Sequence, residues 1–357
     1  MTNYLLTGGG TAGHVNPLLA LAEYIREHES DANILALGTK EGLESTLVPA
    51  RNFELVTIAK LPFPRKPSGY ALAFPLRFLK AVSEVRKLIR KREITAVVGF
   101  GGYASAPAYL AARFERIPLV VHEANALPGI ANKIGARFAD RVAVAFRSTP
   151  LANAELVGMP LRQEIVTAAM VRDKTYARKH FGLESDGLTL LVTGGSLGAQ
   201  RINSAIVDSL PLLLAAGIQV IHIVGGKSEL EPLKQKGYLR IKYCERMDLA
   251  MSAADFAVSR AGASTVAELT ALGIPALYVP YAVGNGEQSR NLIEVIAAGG
   301  GVSVADGEFN RDYIASQLIP ILSSASKLAE MASAAASVGI AKGTENLYQL
   351  LKGVLAK

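Results

Sequence analysis

The 357-residue sequence has no tryptophan, and aromatic residues make up only 6% of it. That scarcity excludes the stacking platforms that hold carbohydrate polymers or single-stranded nucleic acid. The single cysteine, Cys244, cannot close a disulfide within the chain and belongs to no Cys/His cluster of zinc spacing, so a reducing compartment and no metal site are expected. No apolar run approaches the roughly 20 residues of a membrane-spanning helix. The longest, Leu210 to Val224, is broken by Pro211, Gly217 and Gln219 and predicts helix, turn and strand. No Lys or Arg precedes the short apolar run at the start, so Tyr4 to Thr7 reads as a buried strand and not as an export signal. Asp-x-Asp pairs are absent too, and a metal-clamped diphosphate is therefore not suggested.

Half of the residues are apolar, 19% are charged and 33 are glycine, a composition that fits a loop-rich α/β enzyme and excludes a disordered or fibrous chain. At about 100–200 residues per domain, the length predicts two domains. Strand-like runs alternate with helical patterns, as in parallel βαβ units, and one plan occurs twice. Asn3 to Thr7 leads into Gly8-Gly9-Gly10-Thr11-Ala12-Gly13 and a helix predicted from near Asn16 to Glu27. Leu190 to Thr193 leads likewise into Gly194-Gly195-Ser196-Leu197-Gly198 and a helix from near Ala199 to Ala215. Gly99-Phe100-Gly101-Gly102-Tyr103 and Ser259-Arg260-Ala261-Gly262-Ala263 each follow a strand and precede a helix, a second strand and a polar loop. Glycine loops at the carboxyl ends of parallel strands are where open α/β sheets bind ligands, and two such halves facing each other would make a cleft. Gly158-Met159-Pro160-Leu161-Arg162 has the composition of a linker. The predicted domains are residues 1–162 and 163–340, with the amphipathic tail 341–357 docked back on the first.

Between Arg65 and Glu93, nine Lys or Arg and two Glu sum to +7, the whole formal excess of the chain. Phe78, Val82, Val85 and Ile89 read there as the core stripe of a helix whose solvated face is Arg86, Lys87, Arg90 and Lys91. Across 61–77 the prolines and glycine predict an irregular segment with large apolar side chains beside cations, which suits an anionic membrane surface. Leu61, Phe63, Arg65, Lys66, Tyr70, Leu72 and Phe74 are the expected contacts. Nucleic acid, the competing partner for a basic patch, is not expected, because no binding motif accompanies it.

Gly8-x-Gly10-x-x-Gly13 satisfies a dinucleotide fingerprint, which brings in a nicotinamide-dependent oxidoreductase. The fingerprint wants an acidic residue about 20 positions on, at the end of the second strand. Here that strand runs into Gly38-Thr39-Lys40; Lys40 would suit a phosphorylated cofactor, but His14 and the second glycine-loop half would then have no role. Gly226-Lys227-Ser228 is not a P-loop, since Ile221 stands at the first glycine position. His28 and His180 read as solvated and His222 as a core residue, whereas His14 and His122 stand at strand-end loops, where an imidazole can take a proton. Gly194-Gly195-Ser196 and Ala263-Ser264-Thr265 stand at predicted helix N-termini, whose N–H groups and hydroxyls can hold phosphate oxygens. Glu268, one turn on, can accept both hydroxyls of a ribose or simply favour the helix dipole. Gln288 and Asn291 can bond sugar hydroxyls or be solvated.

Gly9-Gly10-Thr11-Ala12-Gly13-His14, Gly101-Gly102-Tyr103, His122-Glu123-Ala124-Asn125, Gly194 to Ala199, Arg260 to Glu268 and Gln288-Ser289-Arg290-Asn291 together fall in the order and spacing of one family. From about residue 3 to 350 the chain resembles the MurG family of bacterial glycosyltransferases, which add N-acetylglucosamine to lipid I to give lipid II. The resemblance implies an α/β protein of the GT-B fold, two Rossmann-like parallel-sheet domains facing across a cleft, the first for acceptor and membrane and the second for the UDP-sugar. It implies UDP-N-acetylglucosamine as donor and undecaprenyl-diphospho-N-acetylmuramoyl-pentapeptide as acceptor. It further implies inversion without metal or cofactor, and a peripheral place on the cytoplasmic face of the plasma membrane. Carried over by position, the donor contacts are Thr11, Ala12, Gly13, Asn125, Arg162, Ser196, Cys244, Ala263, Ser264, Thr265, Val266, Ala267, Glu268 and Gln288, with Asn291 on the sugar side. Cys244 would lie beside the uracil through its backbone. Ala12, Ala124 and Ala261 depart from the family's frequent Gly, Gln and Ser without removing a group this reading needs. The expected chemistry is one in-line displacement by the acceptor's C4 hydroxyl, with His14 the first candidate for its proton and Glu123 the second. An NAD(P)-dependent oxidoreductase and a non-catalytic nucleotide-sugar-binding membrane scaffold are the alternatives.

Overall fold

The protein is described by a computed structural model over residues 2–64, 66–195, 198–281 and 286–356. It divides into two compact units, one running to Arg162 and resuming at Lys342, the other Gln163–Ala341. Among the described residues each unit contains one seven-stranded sheet.

In the first unit β1 (Asn3–Thr7), β2 (Asn33–Thr39), β3 (Glu54–Ile58), β4 (Ala96–Gly99), β5 (Leu119–Glu123), β6 (Arg141–Val144) and β7 (Ala154–Leu156) stand in the order β3-β2-β1-β4-β5-β6-β7, all parallel. Its helices include α1 (Ala12–His28), α2 (Glu44–Ala50), α3 (Gly69–Lys91), α4 (Ser105–Glu115) and α5 (Ile130–Gly135). The central strands β1 and β4 are near-continuous apolar runs, buried almost throughout, because both sheet faces are covered there. Tyr4 and Leu6 enter one core with Leu18, Leu21 and Ile25 of α1, while Leu5 and Val97 enter another with Val82, Val85 and Ile89 of α3 and Tyr109 of α4. The C-terminal helix Gly343–Leu355 puts Leu347, Tyr348 and Leu351 into the first of these cores. Its start is fixed by Thr344 Oγ1 donating to the Leu161 carbonyl and Asn346 Nδ2 to that of Val157, each at 2.9 Å.

In the second unit β8 (Thr189–Thr193), β9 (Gln219–Ile223), β10 (Leu233–Gln235), β11 (Tyr238–Ile241), β12 (Phe256–Ser259), β13 (Ala276–Tyr278) and β14 (Gly301–Ser303) stand in the order β10-β11-β9-β8-β12-β13-β14. Only the edge pair β10–β11 is antiparallel among them. Strand order reverses between β1 and β4 and between β8 and β12, and at such a switch point the flanking loops diverge and leave room for a ligand.

Two helices start earlier than the sequence predicts. α1 begins at Ala12, four residues ahead of Asn16, because His14 and Val15 N–H both donate to the Thr11 carbonyl at 3.1 Å and Pro17 is accommodated inside the helix. α3 begins at Gly69, so most of the segment expected to be irregular is helical. Ser68 Oγ caps it by accepting the Ala71 N–H at 3.2 Å, and Pro75 lies on the exposed side, where water can serve the carbonyl that its missing N–H leaves.

Candidate active site

In the first unit the pairing of Thr7 with Gly99 sets the loops after β1 and β4 side by side. Gly102, at φ 92°, faces the Gly9 carbonyl so closely that a methyl group would collide with it. His14, in the first turn of α1, has Nδ1 2.9 Å from that same carbonyl. A carbonyl can only accept, so Nδ1 carries the hydrogen and Nε2 of the neutral ring keeps its lone pair. Gly101, also at positive φ, leaves space beside Nε2. Thr11 is exposed, and Ala12 and Gly13 are partly so, at the N-terminus of α1.

Glu123 and His122, at the end of β5, are corrections. The Glu123 carboxylate is buried: Oε1 accepts the Asn125 N–H, and Oε2 accepts the Gly129 N–H and Asn132 Nδ2, all at 2.9 Å. Asn132 in turn accepts from the Tyr109 hydroxyl at 2.7 Å, and that hydroxyl accepts the Gly101 N–H at 3.3 Å. Glu123 is therefore committed to shaping its loop and is not presented to an acceptor. His122 is wholly buried with Nε2 2.9 Å from the Gly158 carbonyl; burial pushes its pKa down to about 4 against the opposing bond, which removes it as an accessible base. Asn125 is half-buried in this loop, and Arg162 is the last residue of the unit before it resumes at Lys342.

In the second unit Gly195 and Gly198 have φ of 83° and 86°, and Gly198 lies against the Val224 carbonyl, where no side chain fits. Ser196 lies outside the described residues. The helix Ala263–Ala271 follows Gly262, which offers no capping side chain. Ser264 Oγ is buried and has no hydrogen-bond partner among the described residues. Thr265, Ala267 and Glu268 are partly exposed, whereas Ala263 and Val266 are buried and can offer only backbone. Gln288 Oε1 accepts the N–H groups of Ala261 at 3.3 Å and Tyr281 at 2.8 Å. Asn291 is a correction: its buried Nδ2 donates to the Ala261 carbonyl at 3.2 Å, which fixes the turn and turns the amide inward. Arg260 pairs with Asp306 at 2.5 Å, and Arg201 takes that carboxylate's other oxygen at 3.2 Å. Cys244 is buried after β11.

The apolar face on the first unit also differs from expectation. Leu61 is a core residue, and Phe63, Tyr70 and Phe74 are half-buried in an aromatic cluster with Phe78, ring centroids 5.5–6.5 Å apart. Leu72, Leu76 and Leu79 are the outward side chains, 86%, 76% and 55% exposed at helical spacing. Lys80 and Lys87 fall beside that stripe and Lys66 is exposed near it in sequence, while Arg86 and Arg90 are paired with Glu115 and Arg92 with Glu54. Arg65 lies outside the described residues. No helix among the described residues is long and apolar enough to cross a membrane.

One residue escaped the sequence reading. Glu44, at the start of α2, is 0% exposed; Oε2 accepts the Gly10 N–H, and Oε1 accepts the N–H and hydroxyl of Thr39, each at 2.8 Å. A methyl at Gly9, Gly38 or Gly42 would collide with its side chain. Burial raises its pKa, but the N–H of Gly10, its own N–H and both Thr39 donors outweigh that and hold the carboxyl below its ordinary range. Its oxygens are taken up beside the end of β2, so Glu44 cannot accept the ribose of a dinucleotide there.

Two Rossmann-like units, each with glycine loops and helix N-termini at its sheet's switch point, define a glycosyltransferase of the GT-B fold. Residues 4–144 match the glycosyltransferase family 28 N-terminal domain, and 189–347 match the family's C-terminal domain. The chain is 53% identical over 357 residues to the UDP-N-acetylglucosamine–N-acetylmuramyl-(pentapeptide) pyrophosphoryl-undecaprenol N-acetylglucosamine transferase of Clavibacter sepedonicus, covering 100% of this chain and 97% of that one. It is 46% identical to the Streptomyces coelicolor protein of the same name, over 94% of this chain and 93% of that one. The crystal structure of Acinetobacter baumannii MurG superposes with a TM-score of 0.80 at 26% identity, covering 99% of this chain and 100% of that one. The chain belongs to glycosyltransferase family 28, among these N-acetylglucosamine transferases, and is a hexosyltransferase.

Proposed function

We propose that this enzyme transfers N-acetylglucosamine from UDP-N-acetylglucosamine to the C4 hydroxyl of the muramoyl sugar of lipid I, giving lipid II and UDP for peptidoglycan synthesis. The observation that carries the mechanism is the His14 imidazole anchored through Nδ1 to the Gly9 carbonyl, with its lone pair left at Nε2. In this reading Nε2 takes the proton as the C4 oxygen bonds to the donor's anomeric carbon. The bond from that carbon to the diphosphate breaks with inversion, and UDP leaves. Negative charge on the leaving diphosphate meets the helix N-terminus at Ala263–Thr265 and the Ser264 hydroxyl, which has no partner among the described residues. Glu268 takes the ribose hydroxyls and the Gln288 NH2 a sugar hydroxyl. Thr11, Ala12 and Gly13 offer N–H groups at the start of α1 to the acceptor's diphosphate. The leucine stripe of α3 with Lys66, Lys80 and Lys87 brings the enzyme to an anionic membrane as a peripheral protein of the cytoplasmic face.

Transfer of radiolabelled sugar from the UDP donor to a lipid-linked N-acetylmuramoyl acceptor tests the activity; no product under any detergent or vesicle condition refutes it. His14→Ala should lose turnover by roughly 10²–10⁴-fold while UDP binding holds. Full turnover in that variant removes His14 as the base.

A further inference from the structure

The contacts of Glu44 and His14 end on one peptide group. The N–H of Gly10 donates to Glu44 Oε2 at 2.8 Å, and the carbonyl of Gly9, which belongs to the same peptide, accepts from His14 Nδ1 at 2.9 Å. We propose that Glu44 is a positioning residue that acts on His14 through the Gly9–Gly10 peptide, as a carboxylate–peptide–imidazole relay; this rests on the reading of His14 as the base. In a serine-protease triad the carboxylate bonds directly to the imidazole, fixes its tautomer and stabilises the imidazolium that forms. Here a planar, polarisable amide stands between the two. An anion on its N–H side drives electron density onto its oxygen, and hydrogen bonds in such a chain strengthen one another. The carbonyl thereby becomes a better acceptor for Nδ1–H, and the proton that Nε2 gains during transfer is stabilised at a distance.

The packing shows that this arrangement is built. Gly9, Gly38 and Gly42, from three segments of chain, all lack the Cβ that would strike the Glu44 side chain. Both carboxylate oxygens are satisfied by N–H and hydroxyl donors, with no cation paired to them among the described residues, so the charge is held by dipoles. Thr11, Gly9 and Gly101, which stand next to the imidazole, carry no charge. A first-turn glutamate that only favoured the dipole of α2 would point to solvent; this one is buried under the Gly9–Gly10 peptide that anchors the base.

The test uses the full chain labelled with 15N in histidine, read by two-bond 1H–15N correlation spectra, with Glu44→Gln as the variant. Glutamine keeps the shape but loses the charge, and its NH2 must face one of the N–H donors. The wild type is expected to show His14 as the Nδ1–H tautomer. The variant should shift His14 toward Nε2–H and lose kcat by about 10-fold, well below the ~10⁴ that follows loss of a directly bonded triad carboxylate, with KM for the UDP-sugar unchanged. A variant with native tautomer and native kcat overturns the proposal, as does a wild-type His14 in the Nε2–H form, which decides the matter even if the variant does not fold. Were His14→Ala fully active, the base assignment would fail by itself, and the tautomer shift would still show whether Glu44 reaches the imidazole.

Discussion

Gly102 joins stability to chemistry at a single Cα: its φ of 92° suits glycine, and the Gly9 carbonyl it presses against is the one that holds His14. Gly102→Ala should cost about 1–3 kcal/mol from backbone strain and, by displacing that carbonyl, lower turnover more than it weakens UDP binding. Urea denaturation and steady-state kinetics measure the two effects, and native kinetics would show that the loop contact is incidental to the base. Ser264 has the opposite signature. Its buried hydroxyl lacks a partner among the described residues, a desolvation penalty that a phosphate oxygen reaching it would relieve. Ser264→Ala is expected to weaken UDP binding by roughly tenfold or more, the worth of a hydrogen bond to a charged group, without lowering the melting temperature of the unliganded protein. Calorimetric titration beside a thermal melt checks both halves.

The exposed stripe of α3 can be separated from the aromatic cluster beneath it. Leu72→Ser, Leu76→Ser and Leu79→Ser together should weaken sedimentation with anionic liposomes and leave stability and turnover on a short-chain soluble acceptor near native, since these side chains already face water. Phe63→Ser or Phe74→Ser should instead destabilise the first unit, because both rings pack against its core. Native liposome binding in the triple variant would remove the membrane role of α3. The same helix marks where sequence legibility ends. Parallel strands buried on both faces are apolar runs punctuated by glycine, so β1, β4, β8 and β12 and their loops could be read directly, and with them the fold class. Pro75 hid the first two turns of α3, because a proline inside a helix is tolerated where its orphaned carbonyl meets water. Glu44 was hidden for a different reason: its partners Gly10 and Thr39 are known only once β1 and β2 are paired. Glu123 and Asn291 were legible as polar residues at the right loops, but which way each side chain turned was settled by Gly129, Asn132 and Ala261, and no spacing rule contains that.

Each unit also encloses one neutral histidine on a sheet strand, and the two link folding to acidity across the whole chain. His122 on β5 is wholly buried, with its pKa pushed down to about 4 chiefly by desolvation. His222 on β9 is pushed to about 3 for the same reason, helped by the nearby Arg240. Its tautomer is fixed by neighbours: Asn203 Nδ2 donates to the Val224 carbonyl, so Asn203 Oδ1 faces His222 Nε2–H at 3.1 Å, and the Tyr238 hydroxyl donates to Nδ1 at 3.0 Å. In the unfolded chain both rings take a proton near pH 6.5, while in the folded chain they refuse it until about 4 or 3. The unfolded state therefore binds more protons throughout that window, and stability falls as pH falls, by about 1.4 kcal/mol per pH unit for each histidine. By pH 4 each unit should have lost about 3 kcal/mol from this source alone. Below the ordinary carboxyl value of 4.5 the depressed Glu44 adds a further loss with the same sign, since its charge is better held folded than unfolded. Chemical denaturation at pH 7, 5.5 and 4 should thus show the decline beginning near 6.5, well above the carboxylate range, in both units. A profile flat down to pH 5 in either unit would mean that its buried ring takes a proton in the native state, contrary to the desolvation that holds both rings neutral.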